Sequence, residues 1–162
     1  MAVNLRVVSN STPLIALARI RRFQLLRELF GEINIPHAVY DEVVNAGKGH
    51  AGVIEVESAD WIHCHQVSNS DLIAFLRISL DVGEAEAIAL AKEIGADLVL
   101  LDDSDGRNIA ESVGITFTGT IGILLRYYHG HSTDFKDALD ELLAQGFRLS
   151  KKEYVKILEQ AL

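Results

Sequence analysis

The chain has 162 residues, of which 49% are hydrophobic and 7% are aromatic. This length fits one compact domain, and we expect residues 1–162 to form a single one. The 15 lysines and arginines against 23 aspartates and glutamates give a net charge of −8, which opposes non-specific binding to a polyanion. No apolar run approaches the ~20 residues of a membrane-spanning helix, and no secretory leader is evident, so the sequence predicts a cytoplasmic protein with no membrane partner.

Cys64 is the only cysteine, which excludes an internal disulfide and argues against a zinc site built on thiolates. The positive charge is concentrated in residues 1–30, where five arginines stand against one glutamate and give this segment a charge of +4. Arg19, Arg21 and Arg22 form the centre of this basic corner. The corner is interpreted either as a nucleic-acid-binding patch or as a solvated connection between helices.

Short apolar runs alternate with helix-forming segments along the chain, and residues 48–60 fit neither type. The runs predict strands at 5–8, 33–35, 61–67, 97–101 and 115–117. Helices are predicted from residue 13, at 22–30, from 36 to about 46, and at 70–80, 83–94, 106–113, 120–128, 133–145 and 151–162. Such alternation favours parallel strand pairing, and it predicts an α/β fold, a three-layer α/β/α sandwich with a mainly parallel central sheet.

Active sites of open parallel sheets collect at the carboxyl ends of the strands. The apolar run 98–101 ends in Asp102 and Asp103, and Asp105 follows two residues later. This density of negative charge is costly unless cations or hydrogen-bond donors face it. Taken alone, the same residues also suit a turn followed by a helix cap.

Two further carboxylates lie on predicted helices. Glu84 shares a helical stripe with Ala87, so we expect it to point towards the core and Glu86 to point outwards. Glu42 shares the stripe of Val39, where a buried charge would be expensive. Glu84 by itself is equally a favourable charge at a helix N-terminus. With the acids after the fourth strand, these residues predict an oxygen-rich pocket suited to Mg²⁺ or Mn²⁺.

Four segments resemble PIN domains, and among them the prokaryotic branch related to VapC-type toxins. The matching segments are VVSNSTPLIAL, IPHAVYDEVV, LDVGEAEAIALA and LVLLDDSDGRNIAESVGITFTGTIGIL. They occur in the family's order and extend over nearly the whole chain. The resemblance implies a PIN-like fold and metal-dependent cleavage of RNA.

The resemblance places the family's catalytic acids at Glu42, Glu84 and Asp103. All three would also bind the metal, with Asp102 as a further ligand. Asp103 is preferred to Asp102 because it stands two residues after the last leucine of the strand. Asp105 is assigned a supporting position at the edge of the site.

One position departs from the family pattern. The first strand of active PIN domains usually ends in an aspartate, four residues before the leucine matched by Leu14, and here that position is Asn10. An amide carbonyl can still bind Mg²⁺ but brings no negative charge, so we expect a weakened acidic site. Ser11 and Thr12 match hydroxyl positions that support the site.

Arg107 matches a basic residue of the same branch. It is interpreted either as a nucleic-acid contact, together with the basic corner, or as a structural partner of Asp103 or Asp105. Both interpretations remain open on the sequence alone.

Two functions follow from the resemblance. The first is a Mg²⁺- or Mn²⁺-dependent ribonuclease that acts on single-stranded RNA. The VapC-like resemblance further implies the toxin of a toxin–antitoxin pair, with an antitoxin protein as its partner. The alternative is a non-catalytic PIN-fold module that binds nucleic acid or protein. The resemblance also implies a homodimer, and the amphipathic C-terminal helix either packs on the core or meets a second subunit. A dinucleotide-binding fold is excluded because no G-x-G-x-x-G follows the first strand.

Overall fold

The computed structural model describes residues 5–162; residues 1–4 of the expected domain lie outside the described part. Five strands occur in this part. They are β1 (Val7–Ser9), β2 (Ile33–Pro36), β3 (Ile62–His65), β4 (Leu98–Leu100) and β5 (Phe117–Thr118). Strands β3 and β4 are shorter than their predicted runs and β1 and β5 are shifted, because only the residues paired in the sheet keep a strand conformation, whereas β2 extends one residue further, to Pro36, which pairs with His65.

The first seven helices of the described residues lie in the connections between the strands, and the last three follow β5. They are α1 (Ser11–Arg19), α2 (Leu25–Phe30), α3 (His37–Tyr40), α4 (Val53–Ser58), α5 (Ser70–Leu76), α6 (Val82–Ile94), α7 (Ser104–Ser112), α8 (Thr120–Tyr127), α9 (Ser132–Ala144) and α10 (Lys151–Gln160). Helix α3 continues into a wider π-helical turn at Asp41–Asn45. The undecided segment 48–60 contains α4, which begins after Gly52 with φ of 98°.

The five strands form one sheet in the order β3-β2-β1-β4-β5, and every neighbouring pair is parallel. Strand β1 is central and lies between β2 and β4, so the chain builds outwards from it in both directions. The predicted parallel sheet is thereby confirmed. The crevice beside β1 and β4 is the place where open α/β sheets put their binding sites.

Alternate residues of the central strands point to opposite faces of the sheet, as the strand period of two requires. Val7, Leu98 and Leu100 belong to a core shared with α1, α2, α8 and α9. Val8, Val99 and Leu101 belong to a second core formed with α5, α6 and α7. Helices therefore cover both faces, which confirms the three-layer α/β/α sandwich.

Helices α5 and α10 begin at the predicted residues, Ser70 and Lys151, whereas the start of α7 differs from the prediction. Helix α7 begins at Ser104, two residues before the predicted start, because the Asp103 carboxylate accepts a hydrogen bond from the Gly106 N–H at 3.1 Å.

Within residues 5–162, none of the helices is long and apolar enough to cross a membrane.

Candidate functional site

The candidate site lies at the carboxyl ends of β1 and β4. These strands are direct neighbours, with Ser9 in register with Leu100. Asn10 follows β1 and donates its N–H to the Leu100 carbonyl at 3.0 Å. The pairing therefore brings Asn10 next to the chain that leads into Asp102 and Asp103.

Asn10 occupies the position that precedes α1 and is only 5% exposed. Its Oδ1 atom has no hydrogen-bond partner among the described residues. A buried acceptor left without a donor costs about 1–3 kcal/mol, so this atom is a poor choice for packing alone. It is well suited to a donor or cation that approaches from outside the protein.

Glu42 lies in the π-helical turn, where the Ala46 N–H donates to the Asp41 carbonyl at 2.7 Å. Such turns insert one extra residue and re-aim side chains, and they recur at functional sites. The Ser11 hydroxyl donates to Glu42 Oε2 at 2.6 Å. The β1–α1 turn thereby holds Glu42 at the same edge as Asn10.

Helix α6 approaches the Glu42 carboxylate closely through Gly83. A Cβ atom at Gly83 would lie 2.2 Å from Glu42 Oε1, a distance that no real side chain tolerates. The absence of a side chain at this position therefore makes room for Glu42. Gly83 has an ordinary helical backbone, so its conformation does not require glycine. What requires glycine here is the close approach of the Glu42 carboxylate.

Glu84 and Asp81 cap the start of α6 reciprocally. Asp81 Oδ1 accepts from the Glu84 N–H at 2.9 Å, and Glu84 Oε2 accepts from the Asp81 N–H at 3.2 Å. This is a capping box, which fixes the Glu84 side chain. Glu84 is 9% exposed, as the sequence predicted for an inward-pointing residue.

The pKa values of both glutamates are raised. Burial raises the pKa of Glu84 to about 7, the charges of Asp81, Asp103 and Glu42 add to the rise, and the hydrogen bond from Asp81 opposes it. Burial likewise raises the pKa of Glu42, against the hydrogen bond from Ser11. Glu42, Glu84, Asp81 and Asp103 therefore carry like charges that act on one another, and we refer to these four residues as one electrostatic group.

Asp81 is a member of this group that the sequence interpretation missed. Its charge also raises the pKa of Glu42. The pattern Asp81-x-x-Glu84 is itself the signature of a capping box and could have revealed it. Glu86 differs from the expected outward orientation, since it is half-buried and accepts from the Ala38 N–H at 3.1 Å.

Both carboxylate oxygens of Asp102 accept hydrogen bonds from Thr120, the first residue of α8. The Thr120 N–H donates to its Oδ1 at 2.8 Å and the Thr120 hydroxyl donates to its Oδ2 at 2.6 Å. Arg107 lies 3.9 Å from Asp102, donates to the Leu101 carbonyl at 2.9 Å and stacks over Phe117. Arg107 thus pairs with Asp102, whereas the sequence had offered Asp103 or Asp105 as its partner.

Asp103 is exposed and uses one oxygen to cap α7. Its effect on the pKa of Glu84 places it in the electrostatic group of Glu42 and Glu84. Asp105 is exposed in the first turn of α7, and Thr12 is exposed in the first turn of α1. Thr12 follows Ser11 and Asp105 stands two residues after Asp103, but both lie outside the hydrogen-bonded centre of the site.

In the basic corner, Arg22 is bound to other side chains, whereas Arg19 and Arg21 are exposed. Arg22 forms an ion pair with Glu141 and donates to the Tyr128 hydroxyl at 2.9 Å. Arg19 and Arg21 are exposed, and Arg21 has a left-handed backbone with φ of 59°. The charge available to a ligand is therefore carried by Arg19 and Arg21.

The donor set is the oxygen chemistry that Mg²⁺ and Mn²⁺ prefer. Across residues 5–162, however, no three histidine, cysteine or acidic side chains lie together closely enough to hold a metal ion as they stand. The fit to a divalent cation rests instead on the unpartnered Asn10 oxygen and on the mutual charge of Glu42, Glu84 and Asp103. A cation would offset that repulsion and satisfy the orphan oxygen.

Residues 6–162 match a family model described as a PIN domain. The match includes every residue of the candidate site. No curated protein matches the chain. PIN domains have a nuclease-like or nucleic-acid-binding fold and generally use divalent metal ions. With its parallel five-stranded sheet, its helices on both faces and this match over nearly its full length, the chain belongs to the PIN-domain family.

Proposed function

We propose that this chain is a Mg²⁺- or Mn²⁺-dependent endoribonuclease that acts on single-stranded RNA. The observation that carries the proposal is the convergence of Glu42, Glu84 and Asp103, from three separate segments, at one edge of the sheet, where burial together with the neighbouring carboxylates raises the pKa of Glu84 to about 7. Gathering like charges is unfavourable for folding and is typical of a site that awaits a cation. The unpartnered oxygen of Asn10 at the same edge supports the proposal.

Glu42, Glu84, Asp103 and Asn10 are the residues that would hold the ion. A bound divalent ion supplies positive charge for the phosphate and lowers the pKa of a coordinated water. Ser11 orients Glu42, and the Asp81 N–H orients Glu84. These supporting hydrogen bonds keep the carboxylates in place before any ligand arrives, which is how outer partners improve metal affinity.

Asp103 is proposed as the ligand in preference to Asp102. Both Asp102 oxygens already accept from Thr120, and Arg107 partly neutralises the carboxylate. Asp103 is exposed, and within residues 5–162 only one of its carboxylate oxygens has a hydrogen-bond partner. Asp102 then has the separate role of joining β4 to the start of α8.

The role of a toxin, an antitoxin partner and a homodimer belong to this proposal as well. They rest on the VapC-like resemblance of the sequence segments. Arg19, Arg21 and Arg107 are proposed to contact RNA phosphates, and Arg22 contributes to the basic corner while it remains paired with Glu141.

The test is cleavage of a single-stranded RNA in Mn²⁺ by the unmodified chain, Glu84→Gln and Asp103→Asn. Gln and Asn preserve the capping hydrogen bonds of these positions, so each variant removes charge while keeping the helix ends. Loss of a mere supporting partner already costs ~10–100-fold in metal sites, and we expect at least that loss of rate. Glu111→Gln, an exposed charge on α7, is the matched control. Equal rates in all four proteins would refute the proposal.

A second candidate function is a non-catalytic binding module. Asn10 favours it, because the position lacks the aspartate that active members of the family usually carry. The internal hydrogen bonds of Glu42 and Glu84 also favour it, since they satisfy carboxylates without a metal. Calorimetric titration with Mn²⁺ separates the two functions: the nuclease predicts saturable heat and thermal stabilisation, and the binding module predicts neither.

A further inference from the structure

A groove of about 390 Å³ runs alongside α1. Four of its residues, Thr12, Ile15, Ala16 and Arg19, stand at positions i, i+3, i+4 and i+7 and so lie on one face of the helix. The α9–α10 connection forms the opposite wall. From Thr12 to Arg19 the helix rises ~10.5 Å.

One end of this groove is lined by Thr12, which lies at the start of α1. Thr12 follows Ser11, whose hydroxyl donates to Glu42 at 2.6 Å. Since α1 begins at the carboxyl end of β1, the groove starts at the edge of the sheet where the acids lie. A strand lying along the groove would therefore extend towards the edge of the sheet that carries the candidate site.

The charge of the groove is opposite to that of the molecule. Arg19 and Arg148 line it, and none of its lining residues is acidic, although the chain carries 23 acidic residues and a charge of −8. Among residues 5–162, the lysine and arginine ion pairs involve Arg22, Arg107 and Lys136. The charges of Arg19 and Arg148 are therefore available to a ligand.

Apart from the two arginines, Thr12 and Gln145, the lining residues are apolar or glycine, and they include Phe147, which is half-buried beside Arg148. An aromatic face beside separated cations suits single-stranded nucleic acid, because bases stack on the ring while phosphates contact the guanidiniums. Phe147 and Arg148 also line a second groove, of about 520 Å³, that reaches Arg107. Asp102 and Glu153 line that second groove as well, so the charge argument rests on the first.

We propose that the groove between α1 and the α9–α10 connection binds the single-stranded RNA substrate, with Arg19 and Arg148 on its phosphates and Phe147 against a base. The choice of RNA as the ligand rests on the proposed function. Arg148 and Phe147 are positioning residues that hold the strand, and they take no part in the chemistry.

The test is binding of a fluorescein-labelled oligouridine, measured by anisotropy in the Glu84→Gln background so that the probe stays intact. Each phosphate contact with a single strand contributes ~0.7 to the slope of log K against log salt. We therefore expect Arg19→Ala and Arg148→Ala each to weaken binding about fivefold at 0.1 M salt and to reduce the slope by ~0.7. Phe147→Leu, which keeps an apolar side chain for packing, should weaken binding with an unchanged slope.

Arg27→Ala is the matched control, because Arg27 is an exposed arginine on α2, near the amino ends of the strands, and does not line the groove. Affinities and slopes of Arg19→Ala and Arg148→Ala equal to those of the control would overturn the proposal. So would displacement of the probe by oligoglutamate at the concentration at which unlabelled oligouridine displaces it, since that result identifies a site for an acidic peptide.

The binding test and the cleavage test can reject the groove and the nuclease independently of each other. Arginine-dependent binding without cleavage by the unmodified chain would keep the groove and reject the nuclease. Cleavage by the unmodified chain, with arginine variants that bind like the control, would keep the nuclease and reject the groove.

Discussion

Glu84 is the residue whose charge state most directly links the candidate site to folding. Its capping hydrogen bond favours the ionised form, yet burial and three neighbouring carboxylates outweigh that bond and raise its pKa to about 7. The folded protein therefore holds a proton on Glu84 that the unfolded chain has lost, in the interval between pH 4.5 and about 7. In that interval the folded state binds more protons, so stability falls as pH rises.

Glu84→Gln should remove this pH dependence. Without metal, the unmodified chain is expected to lose on the order of 2 kcal/mol of unfolding free energy relative to Glu84→Gln between about pH 4.5 and pH 8. Gln retains the capping hydrogen bond, so the difference reports the charge alone. Urea unfolding in EDTA at a series of pH values measures it. Parallel pH profiles for the two proteins would show that Glu84 has an ordinary pKa.

Asn10→Asp should strengthen metal binding at a cost to the metal-free protein. A further carboxylate at this buried position, beside Glu42 and Glu84, adds repulsion, so the melting temperature in EDTA is expected to fall. A tenfold gain in Mn²⁺ affinity would add about 1.4 kcal/mol of stabilisation at saturating metal. Thermal melts with and without Mn²⁺ measure both effects. Asn108→Asp, which adds the same charge on the exposed face of α7, is the control; equal Mn²⁺ shifts in both variants would exclude Asn10 from the site.

At the level of elements, the first turn of α6 and the π-helical turn are fitted to each other. Gly83 leaves the space in which Glu42 lies, and a Cβ atom there would meet Glu42 Oε1 at 2.2 Å. A helical glycine normally costs about 0.5–1 kcal/mol relative to alanine, so Gly83→Ala would be stabilising if helix propensity decided the outcome.

Gly83→Ala is instead expected to destabilise the protein by about 1–3 kcal/mol, because the carboxylate must leave its hydrogen bond with Ser11. In a Glu42→Ala background the obstacle is gone, and the same change should become neutral or stabilising by about 0.5–1 kcal/mol. Urea unfolding of the two single variants and the double variant completes the cycle. Additive effects would mean that Gly83 and Glu42 are not coupled.

The elements differ in how far their sequence determines them. Helix α6 and its end at Gly95 were predictable because alanine-rich helical spacing and a left-handed glycine are local signals. The π-helical turn at Asp41–Asn45 was not, since the extra residue is set by packing and only the hydrogen bond from Ala46 reveals it. Likewise, the sequence placed Asp102 and Asp103 side by side, and only the position of Thr120 on α8 separates their roles.

Over the whole molecule, burial is divided unevenly between the sheet's two covering layers and the C-terminal helix. Helix α6 has eight buried residues and packs directly on the central strands. Helix α10 has none, and its Tyr154, Ile157 and Leu158 are only half-buried against the core. Few buried apolar contacts mean a low free energy of local opening. The α9–α10 connection that carries Phe147 and Arg148 therefore joins the most weakly held helix of the described chain.

Amide hydrogen exchange should expose this gradient. The amides of α10 are expected to exchange through local opening, at free energies well below that of global unfolding, whereas those of α6 should require nearly complete unfolding. Mass spectrometry of peptides from both helices, at two protein concentrations, makes the measurement. If α6 and α10 are equally protected from exchange at both protein concentrations, the gradient is contradicted. Protection of α10 that rises with protein concentration would place this helix against a second subunit, because only association depends on concentration while local opening within one chain does not.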